Sequence, residues 1–190
     1  MKYIKELFQN TYEEKKSKFV AYLMPYDNFD KTMQELRQEH PKARHFVYAY
    51  RHLNEFEQIV ENCSDDGEPK GTSGKPSLTV LAGNDLINTA VIIVRYFGGV
   101  KLGTGGLVRA YSASINDVIN ISELFEYKKL EQARLKCEYS ELSKLEYLLK
   151  QENITIVKKD FSNEIIVNIE LSQEELEQLK IQLPRNIILL

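Results

Sequence analysis

What is scarce in this chain of 190 residues narrows its chemistry first. The two cysteines, Cys63 and Cys137, stand far apart with no Cys-x-x-Cys pair. That spacing excludes a disulfide framework and argues against structural zinc, so a reduced, cytoplasmic compartment is expected. The three histidines, His40, His45 and His52, form no His-Glu-x-x-His helix motif and no Cys/His cluster, and no metal or cofactor is expected. No apolar run approaches the ~20 residues needed to span a bilayer. The longest, near Ala90–Val94, has the length of a strand, and no apolar run follows Met1–Glu6 as a signal peptide requires. A membrane partner is therefore not expected. The formal net charge of -3 leaves no global basic field, so any nucleic-acid site must be a local patch. With 43% hydrophobic and 28% charged residues, the chain can bury a core, which excludes disorder as its main theme.

Glycine is absent from most of the chain. All nine glycines lie between Gly67 and Gly106. Glycine gives backbone freedom and lets a ligand approach the main chain, so unusual chemistry is expected inside that window.

Around it the pattern is mixed. Lys18–Leu23 reads as a strand. Asp27 is placed to cap a helix bearing Phe29, Met33 and Leu36, which Pro41 stops. Arg44–Arg51 alternates, with Phe46, Tyr48 and Tyr50 on one face and His45, Val47 and Ala49 on the other. Ser77–Ala82 reads as a short helix, and Thr89–Val94 as a central strand covered on both faces. A glycine-rich loop then leads to a helix with the stripe Leu107, Val108, Tyr111, Ile115, Val118 and Ile119. After about Leu130 the pattern becomes regular. Leu135, Cys137 and Tyr139 alternate as a strand. Ser140 can cap a helix carrying Leu142, Leu145, Leu148 and Leu149. Two strands, Ile154–Phe161 and Ile165–Leu171, turn at Ser162–Asn163. Ser172 and Glu175 then form a capping box, and Ile187–Leu190 is a last strand. That order, βαββαβ, is the ferredoxin-like unit. The fold class is α+β, with a first domain over 1–128 and a second over 129–190.

Two segments could carry chemistry. Ser64–Pro76 (SDDGEPKGTSGKP) fails as a phosphate loop, because Pro69 holds the place of the first glycine and Pro76 follows Gly74–Lys75. It is either a surface loop with solvated Asp65 and Asp66 or a binding loop stiffened by its prolines. Arg95–Arg109 (RYFGGVKLGTGGLVR) is not a dinucleotide fingerprint either, since Val108 follows Gly103 and Gly105 where a third glycine is required. It is either a tight turn or an anion site, with the amides of Gly103, Gly105 and Gly106 at a helix start. Charge favours a site: between Pro69 and Tyr111 the basic residues Lys70, Lys75, Arg95, Lys101 and Arg109 face the lone acid Asp85. Lys75, Arg95, Lys101 and Arg109 are expected to build one binding face. Arg95, ending a buried strand, could instead pair with Asp65 or Asp66. His45 reads as a hydrogen-bonded core histidine, and no catalytic residue is assigned.

These segments resemble the YigZ/IMPACT family. The likeness is carried by Glu14–Phe19 (EKKSKF), Ala43–His45 with Ala49–Tyr50, Ser64–Pro76 and Val94–Tyr111. It implies a first domain resembling domain IV of elongation factor G and a second resembling its domain V, both of which meet RNA on the ribosome. Eukaryotic relatives regulate a kinase pathway controlling translation initiation and carry an additional RWD domain, whereas this chain starts at the shared domain. Val47 stands where many members have cysteine. The function expected is a non-enzymatic binding protein linked to translation, engaging RNA, the ribosome or a translation-associated protein, without DNA sequence specificity. The alternative is a small-molecule enzyme or sensor with a phosphorylated ligand at Gly103–Gly106 and His45, Asp65, Asp66 or Glu68 as auxiliary groups.

Overall fold

A computed structural model describes residues 1–190, which divide into two compact units, Met1–Tyr127 and Lys128–Leu190. The first holds β1 (Lys2–Tyr3), β2 (Phe8–Glu14), β3 (Ser17–Pro25), α1 (Phe29–Glu39), β4 (His45–Leu53), β5 (Ile59–Ser64), α2 (Gly74–Gly83), β6 (Thr89–Tyr96), α3 (Gly103–Asn120) and β7 (Phe125–Glu126). Five strands make an antiparallel sheet in the order β2-β3-β6-β4-β5, while β1 pairs with β7.

β6 is central because its apolar run lets it be buried on both faces. Val91 and Ile93 enter a core with Leu78 and Leu81 of α2 and Leu107, Tyr111, Ile115 and Val118 of α3. Ala90, Ile92 and Val94 enter the opposite core with Leu36, against which Phe29 and Met33 of α1 pack. The period of two repeats in the neighbours. Phe19, Ala21 and Leu23 of β3, with Val47 and Ala49 of β4, join the first core. Val20, Tyr22, Met24 and Phe46 join the second.

The second unit holds β8 (Glu131–Cys137), α4 (Leu142–Gln151), β9 (Thr155–Phe161), β10 (Ile165–Leu171), α5 (Gln173–Gln182) and β11 (Ile188–Leu189), in the order βαββαβ. Its sheet runs β11-β8-β10-β9, all antiparallel. Ile165, Val167, Ile169 and Leu171 alternate into a core shared with Leu145 and Leu149 of α4 and Leu179 of α5. The helices of both units cover sheet faces, so the chain is α+β.

Several local expectations are corrected. Asp27 does not cap α1: it lies in a 3-10 turn, Tyr26–Asn28, that runs straight into the helix, and Asn28 takes the cap position without a side-chain bond. Ser140 fails as a cap for the same reason. The 3-10 turn Tyr139–Glu141 runs into α4, so Tyr139 leaves the strand and its hydroxyl donates to Ser162 O at 2.9 Å. A side-chain cap needs an extended residue at the entry, and neither turn leaves one. Val108 is 36% exposed, one step outside a stripe that takes in Ala110 and Ser114 instead. The edge strands β2 and β5 were not anticipated, since each has a face left open and so lacks a full apolar pattern. The glycines expected in a loop, Gly103, Gly105 and Gly106, form the first turn of α3 itself.

The Ser172–Glu175 capping box forms as expected: Ser172 Oγ accepts from Glu175 N at 3.3 Å and Glu175 Oε2 accepts from Ser172 N at 2.8 Å. Glu175 is held down to about 2, first by its hydrogen bond from Lys128 and then by the Ser172 amide. A depressed carboxyl contributes stability above its ordinary value and loses it as pH falls through the folded one. Glu175→Gln keeps a capping-box acceptor but loses the charge opposite Lys128, and should therefore cost the second unit about 0.5–1 kcal/mol at neutral pH. In urea titrations that difference should shrink as pH falls from the ordinary glutamate range towards 2 and vanish below it.

Candidate anion-binding cleft

Strand register assembles the site. Phe19 of β3 and His45 of β4 both pair with Arg95 of β6, giving a row across three strands at one end of the sheet. Counting by two from Ala21, Val47 and Ile93 places all three on the face covered by α2 and α3.

The segment between β5 and α2 lies over this row and is bound down residue by residue. Asp66 Oδ2 accepts from Phe46 N at 2.6 Å, while His45 Nδ1 bonds Asp66 O at 2.8 Å. Gly67 then turns the chain at φ +87, a conformation that favours glycine. Glu68 points inwards. Its Oε1 accepts from Arg95 Nη1 at 2.5 Å and from Tyr111 Oη at 2.8 Å, with His45 Nε2 at 4.0 Å. Arg95 is 6% exposed, so it is not a surface residue, and its partner is Glu68 rather than Asp65 or Asp66. Burial and the Glu68 carboxylate push the Tyr111 phenol far above its usual range, which keeps it a proton donor.

Asp65 and Asp66 are not freely solvated acids. Asp65 accepts from Gly71 N, Ser73 N, Ser73 Oγ and Gly74 N at 2.7–3.1 Å. Burial alone would raise its carboxyl, but the donors from Gly71, Ser73 and Gly74 outweigh it and hold Asp65 below the usual range. Asp65 thereby supplies the negative charge at the start of α2. The first glycine-rich segment closes its helix with its own carboxylate.

α3 has no such closure. Leu102 holds its cap position, no side chain caps it, and its first turn contains no acid. The opening amides of a helix have no intrahelical partner, and the helix dipole adds positive potential there. Beside this end lies a cleft of about 340 Å³ lined by Glu68, Pro69, Arg95, Phe97, Lys101, Leu102, Gly103, Thr104 and Leu107. Phe97 is 54% exposed and Lys101 is exposed. Buried Arg95 Nε has no hydrogen-bond partner, although such a donor costs about 1–3 kcal/mol.

The four basic residues expected to form one face are spread around α3. Arg95 and Lys101 line the cleft. Arg109 lines a neighbouring depression with Tyr12, Glu14, Lys15 and Gly106, and Leu102 is a wall of both. Lys75 lies in a third, with Val108 and Ser112, which shares no wall with the cleft. Gly98 fixes the edge of the site, because any side chain there would overlap the Lys16 backbone in the β2–β3 turn. Phe97, Thr104 and Tyr111 were missed as site residues. The exposed aromatic in Arg95–Gly99 was a readable signal; the partnership of Tyr111 with Glu68 needs the fold.

Residues 15–119 match the model of the Impact N-terminal domain, and residues 135–185 match that of a domain of unknown function, DUF1949. The chain belongs to the IMPACT family. The IMPACT family member of Haemophilus influenzae is 33% identical over 168 residues, covering 87% of this chain and 82% of that protein. The IMPACT family member YigZ of Escherichia coli is 35% identical over 162 residues, covering 84% and 79%. The crystal structure of a hypothetical protein is similar throughout, at TM-score 0.63 and 30% identity, covering 100% of this chain and 95% of that one. The Glu68–Arg95–Tyr111 arrangement thus sits within the Impact N-terminal segment of an IMPACT family member.

Removing one partner of a buried ion pair strands the other charge. Arg95→Met should cost about 3–5 kcal/mol in urea unfolding of the first unit. Arg95→Met combined with Glu68→Leu should recover much of that loss; a double variant no better than the single would refute a buried pair.

Proposed function

We propose that the chain is a binding protein acting in translation or its regulation, holding RNA phosphates at the open start of α3. One observation carries this reading: the start of α2 is closed by Asp65, whereas α3 opens with glycines, without a cap or an acid, beside Lys101 and Arg95. Helix N-termini of this kind suit phosphate oxygens. Glycines at the first turn leave the main chain approachable.

The arrangement also provides a path for a strand. From the cleft, phosphates can pass the shared wall at Leu102 to Arg109 and Lys15 in the next depression. Lys15 and Lys16 are both left-handed, at φ 47 and 65, which makes a tight two-residue hairpin turn at that point. Contacts of this kind hold the backbone with little base preference, so no DNA sequence specificity is expected. The family resemblance implies domains like IV and V of elongation factor G, both of which meet RNA on the ribosome, and this reading agrees with that expectation.

Binding of single-stranded RNA should fall steeply with salt. Lys101→Glu combined with Arg109→Glu should weaken it and flatten the slope of log affinity against log salt by roughly 0.7 per lost contact. Lys75→Glu should have a smaller effect. Because these side chains are exposed, stability should change by no more than about 0.5 kcal/mol. Wild-type protein without salt-sensitive affinity for RNA or ribosomes would overturn the proposal.

A further inference from the structure

We propose that the cleft is a pocket for a single nucleotide, with the phosphate on the first turn of α3 and the base against Phe97. This rests on the reading of the α3 start as a phosphate site and adds the chemical class of what the cleft takes.

Two independent observations point to an anion. The 18-residue helix α3 opens on Gly103, Thr104 and Gly105 with neither a cap nor an acid. Against the same cleft lies Arg95, more than nine-tenths buried, with an Nε–H that meets no acceptor. A buried donor without a partner calls for a structural or functional explanation. An acceptor oxygen seated beside Lys101 and the α3 amides would supply one after a small turn of the guanidinium, because Nε is shielded from the cleft as it stands. Glu68 does not cancel the site. Its charge is already matched by Arg95 at 2.5 Å, which leaves Lys101 and the helix end as the unbalanced positive potential.

The remaining walls point to more than phosphate. Pro69, Leu102 and Leu107 are apolar, and Phe97 presents an exposed ring 5.9 Å from the Arg95 guanidinium. Bare phosphate or a sugar phosphate has no use for an aromatic platform, whereas a base stacks on one. The volume of about 340 Å³ is at the small end for ligand sites, which suits one nucleotide and excludes a duplex. The nucleotide can be free or part of a single strand; the phosphate and base chemistry is shared, and the experiment separates the two.

The test uses the full chain and calorimetry with uridine 5′-monophosphate, adenosine 5′-monophosphate, ribose 5-phosphate, inorganic phosphate, adenosine and a short oligouridylate. Nucleoside monophosphates should bind more tightly than ribose 5-phosphate. Phe97→Ala should weaken the monophosphates about tenfold or more while leaving ribose 5-phosphate unchanged. Since Phe97 is exposed, that variant keeps its fold. Amide NMR shifts should appear at Gly103, Thr104 and Gly105. Equal binding of phosphate, ribose 5-phosphate and nucleotide, untouched by Phe97→Ala, would overturn the base contact. Shifts confined elsewhere would overturn the site. If the oligouridylate binds in a salt-sensitive way but no monophosphate competes for it, the pocket is refuted while the RNA reading stands. If monophosphates bind and the oligouridylate does not, the pocket stands and the RNA reading fails.

Discussion

The ion pair between Glu68 and Arg95, with the Tyr111 hydroxyl on the same oxygen, joins three parts of the chain that are remote in sequence. Arg95 ends the central strand, Tyr111 lies on α3, and Glu68 comes from the segment that precedes α2. The pair is nearly dry, so its net contribution to stability is modest, while losing one member is expensive. It holds the guanidinium beside the start of α3 and brings the Ser64–Ser73 segment across the sheet end, and so defines two walls of the cleft.

The two helix starts above that sheet end contrast. At α2, Asp65 receives three donors on one oxygen and one on the other, so the helix end is occupied from within. At α3 the equivalent positive end is left free. A chain that closes one such end with its own carboxylate and leaves the other bare, beside Lys101 and the neutralised Glu68–Arg95 pair, has a directional electrostatic feature despite a net charge of -3. That is why a mildly acidic protein can be read as a phosphate binder.

Much of the fold was legible because period and capping are local. β6 was readable from its continuous apolar run, β4 from its alternation, and α5 from Ser172 and Glu175. β2 and β5 were not, since a half-open edge strand needs few apolar residues. Asp27 and Ser140 misled because a side-chain cap and a preceding 3-10 turn leave the same polar residue in the sequence. The site was legible as a composition, in glycine and basic charge, but not as a geometry. Nothing in the spacing of Glu68, Arg95 and Tyr111 reveals that they meet, because the strand register and the turn at Gly67 create that contact. For the same reason the sequence leaves Arg95 open between the binding face and an internal pair with Asp65 or Asp66, and does not point to Glu68. Only the fold separates Lys75 from Lys101 and Arg109.

Ultraviolet crosslinking of single-stranded RNA to the purified chain, followed by mass spectrometry of the peptides, reports the contact directly. If the α3 start is the RNA site, crosslinks will concentrate on Arg95–Arg109, with Phe97 the foremost residue. Crosslinks that fall only within Lys128–Leu190, or on the α1 face of the first sheet, would contradict it.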